Sequence, residues 1–395
     1  MSETIDPVLI RQLAPKNFLS FGPDHAGIEL QALNLLIGPN GSGKSNLIEA
    51  ISLMRSAPKE MRDVTRKGGG VTEWIWKGGP DNPASVEWLV RRKSGPDSLR
   101  HVVAFRAVAQ AYSLIDERVE NADIQHGESE PYFFYRYQNG HPAVNTSDKG
   151  RRSLARETIE PDRSILAQRR DPEIYPELAW LAQNYEQVRI YREWAFGRNA
   201  VFREPQKADL RNDVLEEDFA NLGLFLNRLS IRFPAAHKTI LENLKDLYDP
   251  ISDFKFLING GTVQVFFTED DFVIPATRLS DGTLRYLCLL AILCDPEPPP
   301  LICIEEPELG LHPDILPKVA DLLRSASRRT QLIVTTHSDI LVDAMTETPE
   351  AVVVCSKQQG QTIMERLKPD DLREWLKKYR LGQLWTKGEI GGNRW

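Results

Sequence analysis

The segment GPNGSGKS at positions 38–45 constrains the fold of this chain more than any other feature. An apolar run at 33–37 precedes it, with the composition of a strand buried on both faces, and a helical pattern at 45–55 follows it. Glycine allows positive φ angles, so successive backbone amides of such a loop can point inward and surround a phosphate. The N-terminus of the following helix adds positive potential. The order strand, glycine-rich loop and helix therefore predicts an α/β fold with a phosphate site at the loop.

The residue types in this loop fit a nucleoside triphosphate. The segment matches the GxxxxGK(S/T) pattern of the Walker A loop, in which the lysine reaches the β- and γ-phosphates and the hydroxyl ligates Mg²⁺. We therefore expect these roles for Lys44 and Ser45, with ATP and Mg²⁺ as cofactors. The residues predicted to bind the nucleotide at this loop are Asn40, Gly41, Ser42, Gly43, Lys44 and Ser45.

Two carboxylates follow a second apolar run, at 301–304. Ligands of open α/β sheets bind at the carboxyl ends of the strands, where one carboxylate can hold Mg²⁺ and another can orient or deprotonate the attacking water. We assign the metal role to Glu305 and the role of general base to Glu306. Aspartate is usual at the metal position, so the longer Glu305 side chain is expected to reach the metal differently. The alternative is an acidic turn in solvent.

The sequence LSDGT at 279–283 opens a predicted helix over 281–293. Ser280 is a good N-cap, and Gly282 leaves room for a phosphate at the helix N-terminus. An ordinary serine-capped helix start is the alternative. The segment resembles the LSGGQ signature of ABC-type ATPases, in the LSDGT form seen among RecF/SMC-like ATPases. The resemblance implies that Ser280, Asp281 and Gly282 contact the γ-phosphate of a nucleotide bound by a partner subunit.

Further segments carry the same resemblance, in the order typical of ABC-type ATPases. His337 follows a predicted strand at 331–335, and the resemblance implies a switch histidine that contacts the γ-phosphate. The phrase NFLSF at 17–21, the element EPE with LHP at 306–313, and the tail ending in GGNRW resemble segments of RecF-like and predicted bacterial ATPases. Gln168 is the candidate Q-loop ligand of Mg²⁺, with a surface glutamine as the alternative, and Arg11 is a weaker candidate for nucleotide contact.

The pattern along the chain predicts an α/β P-loop ABC-ATPase head, a mixed sheet with flanking helices, interrupted by an antiparallel β subdomain and a helical insertion. Strand-like runs fill the second segment, including 71–76, with turns at Gly95-Pro96 and Asn139-Gly140 and a loop over 116–130. Helices are predicted over 174–191, 208–231 and 234–247. The predicted segments are 1–55 (first half of the head), 56–150 (β subdomain), 151–250 (helical insertion) and 251–395 (second half of the head).

The composition indicates which partners and which cellular location to expect for the protein. The 395 residues carry a net charge of −7, which argues against a dedicated nucleic-acid coat protein. Basic clusters such as 91–93 and 169–170 are more typical of a solvated surface, and two of them on one face of a dimer could follow a phosphate backbone. The four cysteines form no CxxC pair and lie in apolar runs, which favours reduced core thiols. The N-terminus is polar, and no apolar run approaches the roughly 20 residues of a membrane span. We therefore expect a cytoplasmic protein without a membrane partner.

These features predict an ATPase in which two identical chains close around two Mg·ATP. We expect this cycle to drive a DNA-related process, repair or anti-phage defence, with DNA and a separately encoded effector as candidate partners. The alternatives are the ATPase subunit of a transporter, a nucleotide-sensing regulator without DNA binding, and a binding module with a vestigial ATPase. A fused nuclease is disfavoured, because only the 58 residues 338–395 follow His337.

Overall fold

The computed structural model describes residues 6–92, 98–124, 126–138, 140–146, 151–153, 159–160, 162–198 and 200–392. The chain divides into two compact units. The phosphate-loop unit comprises Val8–Val188, Val353–Leu367 and Ile390–Trp395. The signature unit comprises Met1–Pro7, Arg189–Val352 and Lys368–Glu389. The four segments expected from the sequence stay a prediction of domain organisation.

The described chain contains the following strands and helices, given in chain order. The strands are β1 Ile10–Lys16, β2 Ile28–Glu29, β3 Leu33–Ile37, β4 Ala84–Val90, β5 Leu99–Val108, β6 Ala111–Asn121, β7 Phe133–Gln138, β8 His141–Asn145, β9 Arg151–Ser153, β10 Arg189–Tyr191, β11 Gln206–Lys207, β12 Ile251–Asn259, β13 Thr262–Glu269, β14 Phe272–Pro275, β15 Leu301–Glu305, β16 Gln331–Thr335, β17 Val352–Gln358 and β18 Gln361–Arg366. The helices are α1 Lys44–Ser56, α2 Met61–Lys67, α3 Ile165–Gln168, α4 Pro176–Gln187, α5 Leu222–Arg232, α6 Pro234–Leu247, α7 Asp281–Leu293, α8 Leu316–Ala326, α9 Asp339–Asp343, α10 Pro369–Leu376 and α11 Leu381–Thr386.

The phosphate-loop unit contains the antiparallel sheet expected from the sequence. Its strand order is β2-β1-β4-β5-β6-β7-β8-β9, so the N-terminal strands β1 and β2 belong to this sheet. Alternate residues of β4 are buried, as period-2 patterning predicts for a sheet with one core face. In the same unit β3 is buried along its whole length and neighbours β17, which pairs antiparallel with β18. This arrangement sets the phosphate loop at the end of a fully buried strand.

The signature unit contains the predicted parallel β-α-β rhythm. Strand β15 pairs in parallel with β10 on one side and with β16 on the other, and both β15 and β16 are almost wholly buried. Helix α7 is buried from Thr283 to Leu293, consistent with its apolar sequence. A smaller antiparallel sheet of β11 to β14 precedes it. The α/β fold class is confirmed, and the carboxyl ends of β15 and β16 lie side by side.

Two predicted helices are wrong in their bounds. The helix predicted over 208–231 begins only at Leu222, because the Asn221 amide binds the backbone carbonyls of Arg211 and Val214 and stabilises an irregular turn instead. Side chains of this kind compete with helical hydrogen bonds. The helix predicted over 174–191 ends at Gln187, and the residues after it form strand β10.

Two predictions in the β region are also wrong. Residues Val71–Trp74 form a 3-10 helix rather than a strand, with Val71 and Trp74 buried one turn apart. The loop predicted over 116–130 is a strand as far as Asn121, because its acidic residues find partners in the fold. The turn predicted at Gly95-Pro96 and residue Asn139 of the other turn lie outside the described residues. Over the described ranges, no helix combines the length and the apolar character needed to cross a membrane.

Candidate functional site

The phosphate loop leaves no room for side chains at two of its glycines. A Cβ atom on Gly38 would lie 2.2 Å from the backbone oxygen of Cys355, and Gly38 has a φ of +146°. A Cβ atom on Gly43 would lie 2.1 Å from the Thr362 hydroxyl oxygen, and Gly43 adopts a left-handed conformation with φ +98°. Both positions therefore require glycine, and the loop is pressed against β17 and β18.

Lys44 begins α1 and is 6% exposed. Its ammonium donates to the backbone oxygens of Gly38 at 2.7 Å and Pro39 at 3.2 Å, so the side chain folds back across the loop. The same positive charge partly offsets the effect of burial on the Cys355 thiol, whose pKa is raised to about 12. The loop thus holds a buried cation at the position where the sequence predicts phosphate binding.

The outer side of the loop is open. Asn40, Gly41 and Ser45 are exposed, and apart from its two chain neighbours no described residue has an atom within 4 Å of the Cβ position of Gly41. Ser42 is 1% exposed, and its buried hydroxyl has no hydrogen-bond partner within the described part of the chain. An unpaired buried hydroxyl, a buried ammonium and an open glycine together fit a phosphate group, and the exposed Ser45 hydroxyl fits a ligand of its magnesium ion.

A hydroxyl network behind the loop was not predicted. The Thr362 hydroxyl donates to the backbone oxygen of Ser42 at 3.0 Å and lies 2.6 Å from the Ser20 hydroxyl oxygen. The Asn46 amide donates to the Ser20 hydroxyl at 2.6 Å. Ser20 belongs to the NFLSF phrase, which was the available signal, whereas Thr362 has no local motif. These contacts hold the loop on its inner side.

In the signature unit, Glu305 ends β15 and makes contacts within its own chain. Its Oε1 atom lies 3.2 Å from Nε of Arg192, and its backbone oxygen accepts a hydrogen bond from the Trp194 indole at 2.6 Å. The predicted metal ligand is therefore paired with a guanidinium, so binding of Mg²⁺ would have to compete with Arg192. Among the described residues, no cluster of three or more His, Cys, Asp or Glu forms a metal site on its own.

Glu306 adopts a left-handed backbone conformation with φ +47°, which is uncommon for a residue with a side chain. Its amide donates to the backbone oxygen of Thr335 at 3.0 Å, so the turn is fixed to the end of β16. His337 follows β16, and its Nε2 lies 3.6 Å from Oε1 of Glu306. Both side chains are 36% exposed, so water can reach them. The structure brings together the predicted base and the predicted switch histidine.

Glu308 fixes the segment that carries His337, and sequence reasoning gave it no role. Its Oε1 accepts hydrogen bonds from the Thr336 hydroxyl and from the His337 amide, each at 2.7 Å. Its Oε2 is buried and has no hydrogen-bond partner among the described residues. The EPE sequence that contains Glu308 was the available signal.

The signature turn opens a cavity of about 620 Å³ within its unit. The Ser280 hydroxyl caps α7 by accepting from the Thr283 amide at 3.1 Å, as predicted. A Cβ atom on Gly282 would lie 3.0 Å from the backbone oxygen of Gly310, so glycine keeps the cavity open there. The cavity is lined by Leu247, Tyr248, Ser280, Gly282, Thr283, Gly310, Leu311, His312 and Pro313. The carboxylate of Asp281, in contrast, contacts the Gly197 amide and Arg203 of its own chain.

Arg285 of α7 links the signature helix to the turn after β15. Its guanidinium donates to the backbone oxygens of Leu309 and Trp194 and lies 4.6 Å from the ring centre of Phe196. Burial lowers the pKa of Arg285 from its ordinary value. Its Nη1 atom lies 3.6 Å from the Cβ position of Gly310, which lines the cavity. Arg285 therefore holds Gly310 at the edge of the cavity.

The contacts of Gln168 and Arg11 do not support their predicted roles as a ligand of Mg²⁺ and a contact of the nucleotide. The Gln168 amide donates to the backbone oxygens of Glu160 and Arg163, and its oxygen accepts from the Glu160 amide. A contact between Gln168 and Mg²⁺ would require these local hydrogen bonds to break. Arg11 is exposed on β1, where its backbone oxygen accepts from the Leu30 amide.

Comparisons with known proteins place the chain in a family. The profile of the family described as "AAA domain, putative AbiEii toxin, Type IV TA system" matches residues 33–343. The structure is similar to an Smc head bound to the C-winged helix domain of ScpA, with a TM-score of 0.59 and 15% identity over 92% of this chain and 99% of that chain. It is also similar to an Smc head with an extended coiled coil bound to the C-terminal domain of ScpA from Pyrococcus furiosus, with a TM-score of 0.54 and 14% identity over 94% and 99% of the two chains. No curated protein sequence matches the chain.

The fold and the motifs define a P-loop ATPase of the RecF/SMC-like type. The chain belongs to the AAA-domain family whose profile it matches over more than half of its length.

Proposed function

We propose that this chain hydrolyses ATP to ADP and phosphate as an ATP-bound homodimer. The observation that carries the proposal is the 3.6 Å approach of the Glu306 carboxylate to the His337 imidazole, at the ends of adjacent parallel strands. A carboxylate beside an exposed imidazole is suited to handle the proton of an attacking water. Membership in an ATPase family makes ATP the expected substrate.

The phosphate loop binds the triphosphate. The Lys44 ammonium exchanges its bonds to the Gly38 and Pro39 oxygens for bonds to phosphate oxygens, and the Ser42 hydroxyl gains a partner. Mg²⁺, for which Ser45 and Glu305 are the candidate ligands, would neutralise part of the phosphate charge. Arg192, whose Nε lies 3.2 Å from Oε1 of Glu305, would have to release this carboxylate before it could serve as a metal ligand.

Glu306 accepts a proton from the attacking water, and the water oxygen forms the new bond to the γ-phosphorus while the bond to ADP breaks. His337 donates a hydrogen bond to a γ-phosphate oxygen or to the water. The left-handed backbone of Glu306 and the hydrogen bond from its amide to Thr335 fix the turn that carries the carboxylate before substrate arrives. Such preorganisation lowers the cost of reaching the transition state.

The cavity at the signature turn completes the proposal. It is lined by Ser280 and Gly282 at the N-terminus of α7, and a helix N-terminus attracts phosphate. We assign this cavity to the triphosphate bound by the partner chain, so that two nucleotides are enclosed between two chains. Hydrolysis then reopens the dimer, and the cycle produces an ATP-gated change of shape.

The process that this cycle drives is a DNA transaction, in repair or anti-phage defence, with a separately encoded partner. Two observations support a separate partner. The family description names a toxin of a type IV toxin–antitoxin system, and the similar Smc heads are described as bound to domains of ScpA. A nucleotide-sensing regulator without DNA binding is the competing function.

Chain association tests the proposal, with the wild type compared with Glu306→Gln. The molecular mass is measured in solution with Mg·ATP, with Mg·ADP, and with or without double-stranded DNA. We expect wild type to dimerise transiently with ATP and Glu306→Gln to remain dimeric, because trapped ATP keeps the dimer closed. Glu347→Gln, at an exposed glutamate, is the matched control and behaves as wild type. Monomers of Glu306→Gln under every condition would contradict the dimer, and an unchanged response to DNA would favour the regulator.

A further inference from the structure

A buried arginine holds the segment that leads into the signature turn. Arg203 ends a short 3-10 helix, Val201–Arg203, and is 8% exposed. Its Nη1 donates to the backbone oxygen of Leu279 at 2.9 Å and to that of Thr277 at 3.0 Å. Its Nη2 donates to the carboxylate of Asp281. One guanidinium thus contacts the chain on both sides of Ser280.

These contacts determine where the signature turn lies. The planar guanidinium presents its donors in a fixed geometry, so it can hold two carbonyls and a carboxylate in one arrangement. The Gly197 amide adds a further hydrogen bond to the same Asp281 oxygen at 3.1 Å. Ser280 between them has an extended backbone, with φ −66° and ψ 155°, and its hydroxyl caps α7. The orientation of Ser280 and Gly282 toward the cavity therefore depends on Arg203.

Neither lysine nor glutamine at position 203 can make the same set of contacts as Arg203. A lysine ammonium has three donors on a flexible stem and lacks the fork that matches a carboxylate. A glutamine is shorter and carries no charge, so it would leave the Leu279 and Thr277 oxygens without the donor that Arg203 supplies. The hydrogen bond to the Leu279 carbonyl is buried, and a buried carbonyl that loses its partner favours a shift of the backbone.

We propose that Arg203 is a positioning residue for the signature turn and therefore acts on the nucleotide bound by the partner chain. The inference rests on the proposed ATP-bound homodimer and extends it by assigning a residue to the shared half of each site. The proposal predicts that the two nucleotide sites of a dimer respond differently, which a simple loss of stability would not produce. Loss of Arg203 should disable the site completed by its own signature and leave intact the site in which its own Lys44 binds nucleotide.

Mixing two inactive variants tests this distinction. Arg203→Gln and Lys44→Ala are each purified, and ATP turnover is measured separately and after mixing. In a mixed dimer, the nucleotide bound by Lys44 of the Arg203→Gln chain meets the intact signature of the Lys44→Ala chain. We expect turnover of the mixture to rise at least about tenfold above the sum of the two variants alone.

Three further measurements serve as controls for this test. Ser280→Arg mixed with Lys44→Ala should regain turnover in the same way, because Ser280 lines the cavity itself. Glu306→Gln mixed with Lys44→Ala should stay inactive, because both residues act on the nucleotide of one chain. Arg211→Gln, at an exposed arginine paired with Asp213, is the matched control and turns over as wild type does.

The outcomes separate this inference from the proposed function. If the Ser280→Arg mixture regains turnover and the Arg203→Gln mixture does not, Arg203 has no role across the dimer and the inference is wrong. Full turnover of Arg203→Gln alone would also overturn it. If neither mixture regains turnover, the shared site itself is wrong, and the inference falls with it. Should Arg203→Gln fail to fold, Asp281→Asn replaces it, since Asp281 is 53% exposed and contacts the same guanidinium.

Discussion

The carboxylate of Glu308 accepts a hydrogen bond from the backbone amide of His337 at 2.7 Å. Glu308 lies in the turn after β15, and His337 lies in the turn after β16. The hydrogen bond therefore joins the two turns that carry the proposed base and the switch histidine. It also explains why Glu308 accepts a second hydrogen bond from Thr336, since both donors belong to the same segment.

Glu308→Ala is expected to reduce turnover more than nucleotide binding. The substitution leaves the Thr336 hydroxyl and the His337 amide without their acceptor. Thr336 is fully buried, so the loss of its acceptor costs about 1–3 kcal/mol, whereas water can reach the exposed His337. His337 then loses its fixed position beside Glu306, and we predict a fall in kcat of roughly tenfold or more. Steady-state kinetics and equilibrium nucleotide binding measure the two effects.

Glu308→Gln is the matched control for this prediction. Its amide oxygen can still accept from Thr336 and His337, and its NH₂ group takes the place of an oxygen that has no partner among the described residues. We expect this variant to retain more turnover than Glu308→Ala. Equal losses in the two variants would show that the charge of Glu308, rather than its hydrogen bonds, is what turnover requires.

Gly43→Ala should destabilise the protein more than Gly41→Ala. Both glycines have positive φ, so both variants carry the left-handed strain of about 1–2 kcal/mol. Only the new Cβ at position 43 meets the Thr362 side chain, at 2.1 Å from its hydroxyl oxygen. Thermal unfolding of the two variants measures the difference, and Thr362→Ala in the Gly43→Ala background should recover part of it. Equal losses, with no recovery, would contradict the packing of the loop against Thr362.

The stability of the protein should fall as the pH drops below 6.5, in part because of His237. Burial lowers the pKa of His237 from its ordinary value of 6.5, although the nearby Asp253 acts in the opposite direction. Between 6.5 and the lowered pKa, the unfolded chain binds a proton that the folded protein does not. Stability therefore decreases as pH falls through this window, with a slope of at most about 1.4 kcal/mol per pH unit for one group.

Urea unfolding of wild type and His237→Gln between pH 7.5 and 5.5 checks this prediction. We expect wild type to lose stability relative to the variant as the pH falls. The pKa of His25 is also lowered by burial, but His25 is present in both proteins and its contribution cancels. A constant difference between the two proteins across this range would show that His237 titrates alike in the folded and unfolded states.

Local sequence patterns predicted the elements that carry the motifs. Helix α7 has the predicted bounds, because Ser280 caps it and an unbroken apolar sequence follows. Strand β16 also has the predicted bounds, since it is buried on both faces and bounded by polar residues. Residues 208–221 do not form the predicted helix, because the Asn221 side chain binds backbone groups that a helix would need.

Contacts between residues far apart in the chain could not be predicted. The Thr362 hydroxyl binds the backbone oxygen of Ser42, which lies 320 residues away. Arg203 and Asp281 are 78 residues apart, and neither has a local pattern that indicates its partner. The acidic residues of β6 predict a loop for the same reason. Glu117 is buried in the strand because its carboxylate accepts hydrogen bonds from Ser164 and Ile165, which the local sequence does not indicate. Sequence patterns indicate which side chains carry chemistry, whereas the tertiary fold determines what fixes them.

Phosphate release by wild type and Glu306→Gln, measured at saturating Mg·ATP, tests the central claim most directly. A general base contributes roughly a hundredfold or more to such a reaction, so we predict that Glu306→Gln loses at least that factor in kcat while its affinity for ATP is retained. Glu347→Gln should release phosphate at the rate of wild type. Turnover by Glu306→Gln at the wild-type rate would contradict the account, because the carboxylate beside His337 would then have no part in hydrolysis.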